Sequence, residues 1–121
     1  MEKITGVLVN AEKGTIEKAT ITKSLESYYQ ALNCSMIDIV PRVIGGVRVD
    51  VICDDEGLFS EEPILTAVDA EGYVMFVGSL FIVKFDGVDD VTSLSSAEIN
   101  KVLSVAVPVA SNRKILFPCY Y

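Results

Sequence analysis

Arg42, Arg48, Arg113 and Lys114 are the cations, Tyr28 the stacking surface, and Asp54 and Glu56 the acceptors through which this chain could hold a small anionic ligand. Two guanidiniums placed side by side can grip a phosphate through paired N–H···O bonds. A tyrosine ring can stack on a nucleobase for about 1–3 kcal/mol. Carboxylates at Asp54 and Glu56 can accept from ribose hydroxyls or an adenine amino group. Together these residue types describe a site for a nucleotide-like anion.

Each feature also has a plainer reading. Arg42 and Arg48 can form a ladder of ion pairs with Asp38 and Asp50. Asp54-Asp55-Glu56-Gly57 can be a charged turn at a strand end, and it lacks the alternating ligand spacing of a calcium loop. Arg113-Lys114 can be a solvated turn. Of the adjacent pair Tyr28 and Tyr29, one should face a core, and Tyr73, Tyr120 and Tyr121 are further stacking candidates. The cysteines, Cys34, Cys53 and Cys119, are odd in number and fit no CxxC or zinc spacing, so they read as reduced thiols buried in apolar surroundings.

The chain contains no histidine. Serine–histidine and cysteine–histidine dyads, histidine bases and histidine metal ligands are therefore excluded. No phosphate loop, dinucleotide fingerprint or nucleophile elbow is present, and the acids are spread over turns. The expectation is a protein that binds and does not catalyse, with no cofactor and no metal. With 10 basic against 17 acidic residues the net charge is −7, which opposes binding to DNA or RNA. The longest apolar-dominated run, Tyr73 to Val83, falls short of the ~20 residues of a membrane helix, and the N-terminus has no signal-peptide pattern. A cytoplasmic protein without membrane partners is expected.

The elements that must position these groups follow from periodicity. Residues 4–9 and 15–21 read as a hairpin. Ser24 and its neighbours offer helix caps, Leu25, Tyr28, Tyr29 and Leu32 recur at helical spacing, and Asn33 is a stop. Met36–Val43 and Val47–Cys53 read as a second hairpin. A three-residue loop, Ile44-Gly45-Gly46, pairs Val43 with Val47 and Ile39 with Val51, making one apolar face and setting Arg42 opposite Arg48 on the other. Ile64–Val68 is a short strand. Tyr73 to Phe85 reads as one central strand with a bulge at Gly78-Ser79. Ser95-Ser96-Ala97-Glu98 is a capping box opening a short amphipathic helix that Pro108 ends. Lys114–Phe117 is a last strand. The class is α+β, an antiparallel sheet built from hairpins with two short helices packed on one face. The 121 residues form a single domain.

The ordered features Leu25-Glu26-Ser27-Tyr28-Tyr29, Ile37-Asp38-Ile39-Val40, the run from Val49 to Gly57, Pro63-Ile64-Leu65 and the run from Val77 to Val83 resemble a family of small uncharacterised domains carried by phages, prophages and conjugative elements. The resemblance covers residues 4–85, with Asp54-Asp55 where asparagine is common in the family, and leaves 86–121 as a C-terminal helix and strand extension. It implies no catalytic residue. It implies a setting in which small proteins disarm host immunity, here by sequestering a nucleotide signal such as a cyclic ADP-ribose isomer or a cyclic oligonucleotide. The alternative is a protein-binding inhibitor of a host defence factor, or an accessory module without a small ligand. The apolar half of the composition exceeds what one small core needs, so a homo-oligomer is expected, with a pocket between subunits.

Overall fold

β1 (Lys3–Asn10) and β2 (Thr15–Thr22) pair along their whole length, from Lys3 opposite Thr22 to Asn10 opposite Thr15. The structure is a computed structural model and describes residues 2–10, 13–55, 65–68, 74–85, 91–105, 107–109 and 114–118. Asn10 helps to turn the chain, its Oδ1 accepting from the Lys13 N–H at 3.0 Å. Ile4, Val7 and Val9 are buried, whereas Thr15, Glu17, Lys18 and Thr20 are exposed. β1 is therefore an inner strand and β2 an outer one.

α1 (Leu25–Leu32) has both its ends written locally. Ser24 caps it by accepting from Ser27 N–H at 3.2 Å, and Asn33 ends it in the left-handed conformation. β3 (Ile37–Ile44) and β4 (Val47–Asp54) then form the second hairpin. β5 (Leu65–Val68), β6 (Val74–Val77), β7 (Leu80–Phe85) and β8 (Val91–Thr92) follow. α2 (Ser96–Ser104), β9 (Val107–Val109) and β10 (Lys114–Pro118) complete the described chain. The Ser95/Glu98 capping box is formed as expected, and α2 stops at Val105, so Pro108 lies in β9.

The main sheet has six strands, ordered β2-β1-β7-β4-β3 with β8 beside β7. All its ladders are antiparallel, and the α+β class is as the sequence indicates. A second, four-stranded sheet has the order β6-β5-β10-β9, in which β10 runs parallel to β5. The single strand expected from Tyr73 to Phe85 is in fact two, and they belong to different sheets. The chain leaves one sheet at Gly78-Ser79 and joins the other.

β7 is apolar at every position from Leu80 to Val83 because both its faces are covered. Leu80 and Ile82 join Val7, Val9, Val49 and Val51 on one side, beneath Ile99 and Val102 of α2. Phe81 and Val83 join Ile4 and Ile52 on the other, beneath Tyr28 and Leu32 of α1. The helices therefore sit on opposite faces, which corrects the expectation that they share one. β1 and β7 approach closely at Gly6 because it lacks a side chain: a Cβ there would run into the Ile82 carbonyl oxygen of β7.

The β3–β4 hairpin turns through two residues, with Ile44 opposite Val47, Arg42 opposite Val49 and Asp38 opposite Cys53. This replaces the expected three-residue loop. Gly45 and Gly46 both have positive φ, at 61° and 78°, the geometry of the tight hairpin turn whose twist matches that of the strands. The expected register rested on giving β4 one apolar face. β4 lies between β3 and β7, and Val49, Asp50, Val51 and Ile52 are all buried, so no such face exists to choose.

Candidate functional site

The register decides what the two arginines can do. Arg42 pairs with Val49 and Arg48 with Val43, so alternation sends their side chains to opposite faces of the sheet. The side-by-side clamp expected from the sequence is not formed. Arg42 shares its face with Asp38, and Arg48 shares the other with Asp50.

Arg42 is half-buried where the two sheets meet. Its Nη1 donates to the Pro41 carbonyl at 2.7 Å, and its guanidinium carbon lies 5.7 Å from the centroid of the Phe76 ring of β6. That is within the range of a cation–π attraction. Arg48 is exposed, while Asp50, two residues along the same face, is buried at 7 % exposure. A buried carboxylate is uncommon. The sequence places Asp50 beside the arginines but carries no signal of its burial, which comes from the strands on either side.

Tyr28 is a core residue. It is buried, and its ring lies 6.4 Å from that of Phe81, tilted by 38°. Helical spacing identifies one of Tyr28 and Tyr29 as inward-facing, and the structure selects Tyr28. Lys114 opens β10, paired with Val109. Glu56, Arg113, Cys119, Tyr73, Tyr120 and Tyr121 lie outside the described residues. The described members of the expected ligand set are thus not brought together: Arg42 and Arg48 diverge, and Tyr28 is packed away.

What the fold does gather is acid. At the end of the hairpin remote from its turn, Asp38 enters on β3 and Asp54 and Asp55 leave on β4, with the Asp55 N–H tied to the Met36 carbonyl at 3.1 Å. Cys53 stands among them. Its thiol donates to the Asp38 carbonyl at 3.7 Å and is pushed up to about 12, first by burial and then by the charges of Asp38, Asp55 and Asp54. Burial and the Asp54 charge also push the Cys34 thiol up. A thiolate is the nucleophilic form, so both thiols are held in their unreactive state at neutral pH. Among the described residues, no group of three or more His, Cys, Asp or Glu side chains is placed to hold a metal ion.

A second polar feature was only half legible. Glu98 closes the capping box through Oε1, which accepts from Ser95 N–H at 2.9 Å, and its Oε2 takes the Lys84 ammonium at 2.6 Å. The helix start is thereby tied to the middle strand of the sheet. The hydrogen bond from Lys84, then that from the Ser95 backbone, hold the Glu98 carboxyl below its usual range. A depressed folded-state pKa gives stability that is present above the unfolded value, near ~4.3, and is lost as pH falls through the folded value. Glu98→Gln keeps the capping geometry but gives up the charge on a lysine that is 42 % exposed, so it should cost only about 0.5–1 kcal/mol at neutral pH. Urea unfolding across pH should show that difference intact above about pH 4.3 and closing below it.

A family model matches residues 4–105. The chain belongs to the family described as "Domain of unknown function (DUF3846)". The DUF3846 match extends past Phe85 through α2, so the helix expected to begin an extension is part of the family region, and so is the acidic end of the hairpin. No curated protein and no solved structure matches the chain. Among the described residues, no helix is long and apolar enough to cross a membrane.

Proposed function

We propose that this chain is a non-catalytic binding protein of a phage or other mobile element, and that it inhibits a host defence factor by presenting Asp38, Asp54 and Asp55 to a basic protein surface. The observation that carries this reading is the placement of these acids at the open end of the β3–β4 hairpin, where Asp38 and Asp55 are exposed and Asp54 is half-buried. Carboxylates gathered at one end attract and steer a cationic partner. The mobile-element setting rests on the ordered sequence features that resemble such domains.

Arg42 favours a second reading, the capture of a nucleotide-derived immune signal. Its guanidinium already lies over an aromatic ring at the junction of the two sheets, where a phosphate could engage it. Without Arg48 as a second arm, a pocket between subunits of a homo-oligomer would have to supply the missing cation.

One pair of experiments separates the readings. Protein capture from host lysate should be lost at high salt and lost in Asp38→Asn/Asp54→Asn/Asp55→Asn, while Arg42→Ala retains it. Thermal shift against cyclic oligonucleotides and ADP-ribose isomers should be flat. A nucleotide at 100 times its dissociation constant would instead add about 2.7 kcal/mol, and its release unchanged on denaturation would establish sequestration. Recovery of a cleaved product would overturn both readings in favour of an enzyme.

A further inference from the structure

An edge strand leaves every second residue with its backbone N–H and C=O turned away from the sheet, where another strand can add. β3 ends the described order of the main sheet, and Asp38, Ile39 and Pro41 are exposed, so among the described residues no strand pairs with its outer edge. Because Ile44 and Val47 close the two-residue turn, residues 38, 40, 42 and 44 direct their backbone groups to β4, and 37, 39, 41 and 43 direct theirs outward.

Three of the outward backbone positions at the centre of this edge are blocked. The Ile39 N–H donates to Asp38 Oδ1 at 2.9 Å. Position 41 is a proline and has no N–H. The Pro41 carbonyl accepts from Arg42 Nη1 at 2.7 Å. A donor is capped, the next donor is missing, and the acceptor that follows it is filled, all by three residues of β3 itself. Both caps come from side chains whose stems belong to the opposite parity, reaching around the edge from the face that carries α2.

We propose that Asp38, Pro41 and Arg42 form a guard that closes the β3 edge to strand addition, so that neither a second copy of this chain nor an extended peptide can extend the main sheet on that side. The exposed Ile39 side chain at 43 % and the β-branched flanks Val40 and Val43 would otherwise make this edge sticky. The guard also gives Arg42 a structural duty that does not depend on any ligand. Partners must therefore approach through side-chain surfaces, and any self-association of the native protein uses another face.

The test is Asp38→Ala/Pro41→Val, which uncaps the Ile39 amide and restores an N–H at position 41 while leaving Arg42 in its contact with Phe76. Light scattering on a sizing column should show the variant gaining mass with concentration to at least twice that of the wild type, while the wild type's mass is unaffected over the same range. Amide exchange at Ile39 should be several-fold faster in Asp38→Ala than in the wild type. A double variant that folds, as judged by circular dichroism, and matches the wild-type mass at every concentration overturns the guard, whatever Ile39 does. If the double variant does not fold, Pro41→Val decides alone: added mass supports the guard, and an unchanged mass overturns it.

Discussion

Gly45→Asn should destabilise the protein by about 1–3 kcal/mol, the ordinary cost of forcing extra atoms into a packed contact. Turn chemistry by itself predicts the opposite. Asn-Gly is the most favoured pair for a two-residue hairpin turn, because asparagine tolerates positive φ nearly as well as glycine. Here the turn is not free. A Cβ on Gly45 would lie 2.5 Å from the Lys101 carbonyl oxygen in the last turn of α2. To admit it, α2 must move away from the hairpin and loosen Ile44, Val47 and Val102, which are packed in one cluster beneath it. Gly45→Ala adds the left-handed backbone penalty of about 1–2 kcal/mol to that clash. Gly46 is the control. Its φ is 78°, but nothing lies within 4 Å of its missing Cβ, so Gly46→Asn should fall within about 0.5 kcal/mol of the wild type and Gly46→Ala should cost only the backbone term. Denaturant unfolding of the four variants checks the ordering. Equal losses at the two positions would show that α2 does not rest on the turn.

The same hairpin shows what a sequence can and cannot reveal. Ser24, Asn33 and the Ser95/Glu98 box were legible because a cap is decided within a few residues, and all of them are formed. The β3–β4 register was not legible. It turns on which faces of β4 are covered, and that depends on β7, whose residues are about thirty positions further along. Once β7 and both helices are in place, an alternating pattern has no single face to satisfy, and the two glycines decide the turn. The break at Gly78 belongs to the same class of error. An apolar run does not by itself show that its two halves share a sheet, and β6 and β7 belong to different ones.

The candidate site follows the register. The proposed arginine pair depended on a one-residue choice, so correcting the loop from three residues to two sent Arg42 and Arg48 to opposite sides. The acidic end does not rest on that choice: Asp38 stands opposite Cys53 and Asp54 opposite Ile37, so the two alternate to opposite faces, but both lie at the strand ends remote from the turn. Glu98 lies between these cases. Its capping role is local and could be read, whereas its partner Lys84 is brought to it by the packing of α2 on β7.

Phe81→Ala should cost about 3–5 kcal/mol, a large fraction of the stability of a domain this size. Phe81 is fully buried on the middle strand, opposite Ile52 of β4 and Leu8 of β1, with the Tyr28 ring of α1 set against it. Removing the ring leaves a void that the flanking strands cannot close, because their backbones are fixed by ladders on both sides. α1 is an eight-residue helix, too short to hold its shape in water without tertiary contacts. Its buried residues, Tyr28 and Leu32, share a cluster with Phe81, whereas Ile99 and Val102 of α2 pack on the opposite face. The damage should therefore be uneven. Native-state amide exchange should speed up in α1 well before it does in α2, and melting should fall by roughly 10–25 °C at about 3–5 °C per kcal/mol. Ile82→Ala is the mirror experiment: its side chain lies beneath α2, so α2 should loosen first and α1 should stay protected. If both substitutions loosen both helices equally, the two faces of the sheet form one cooperative unit.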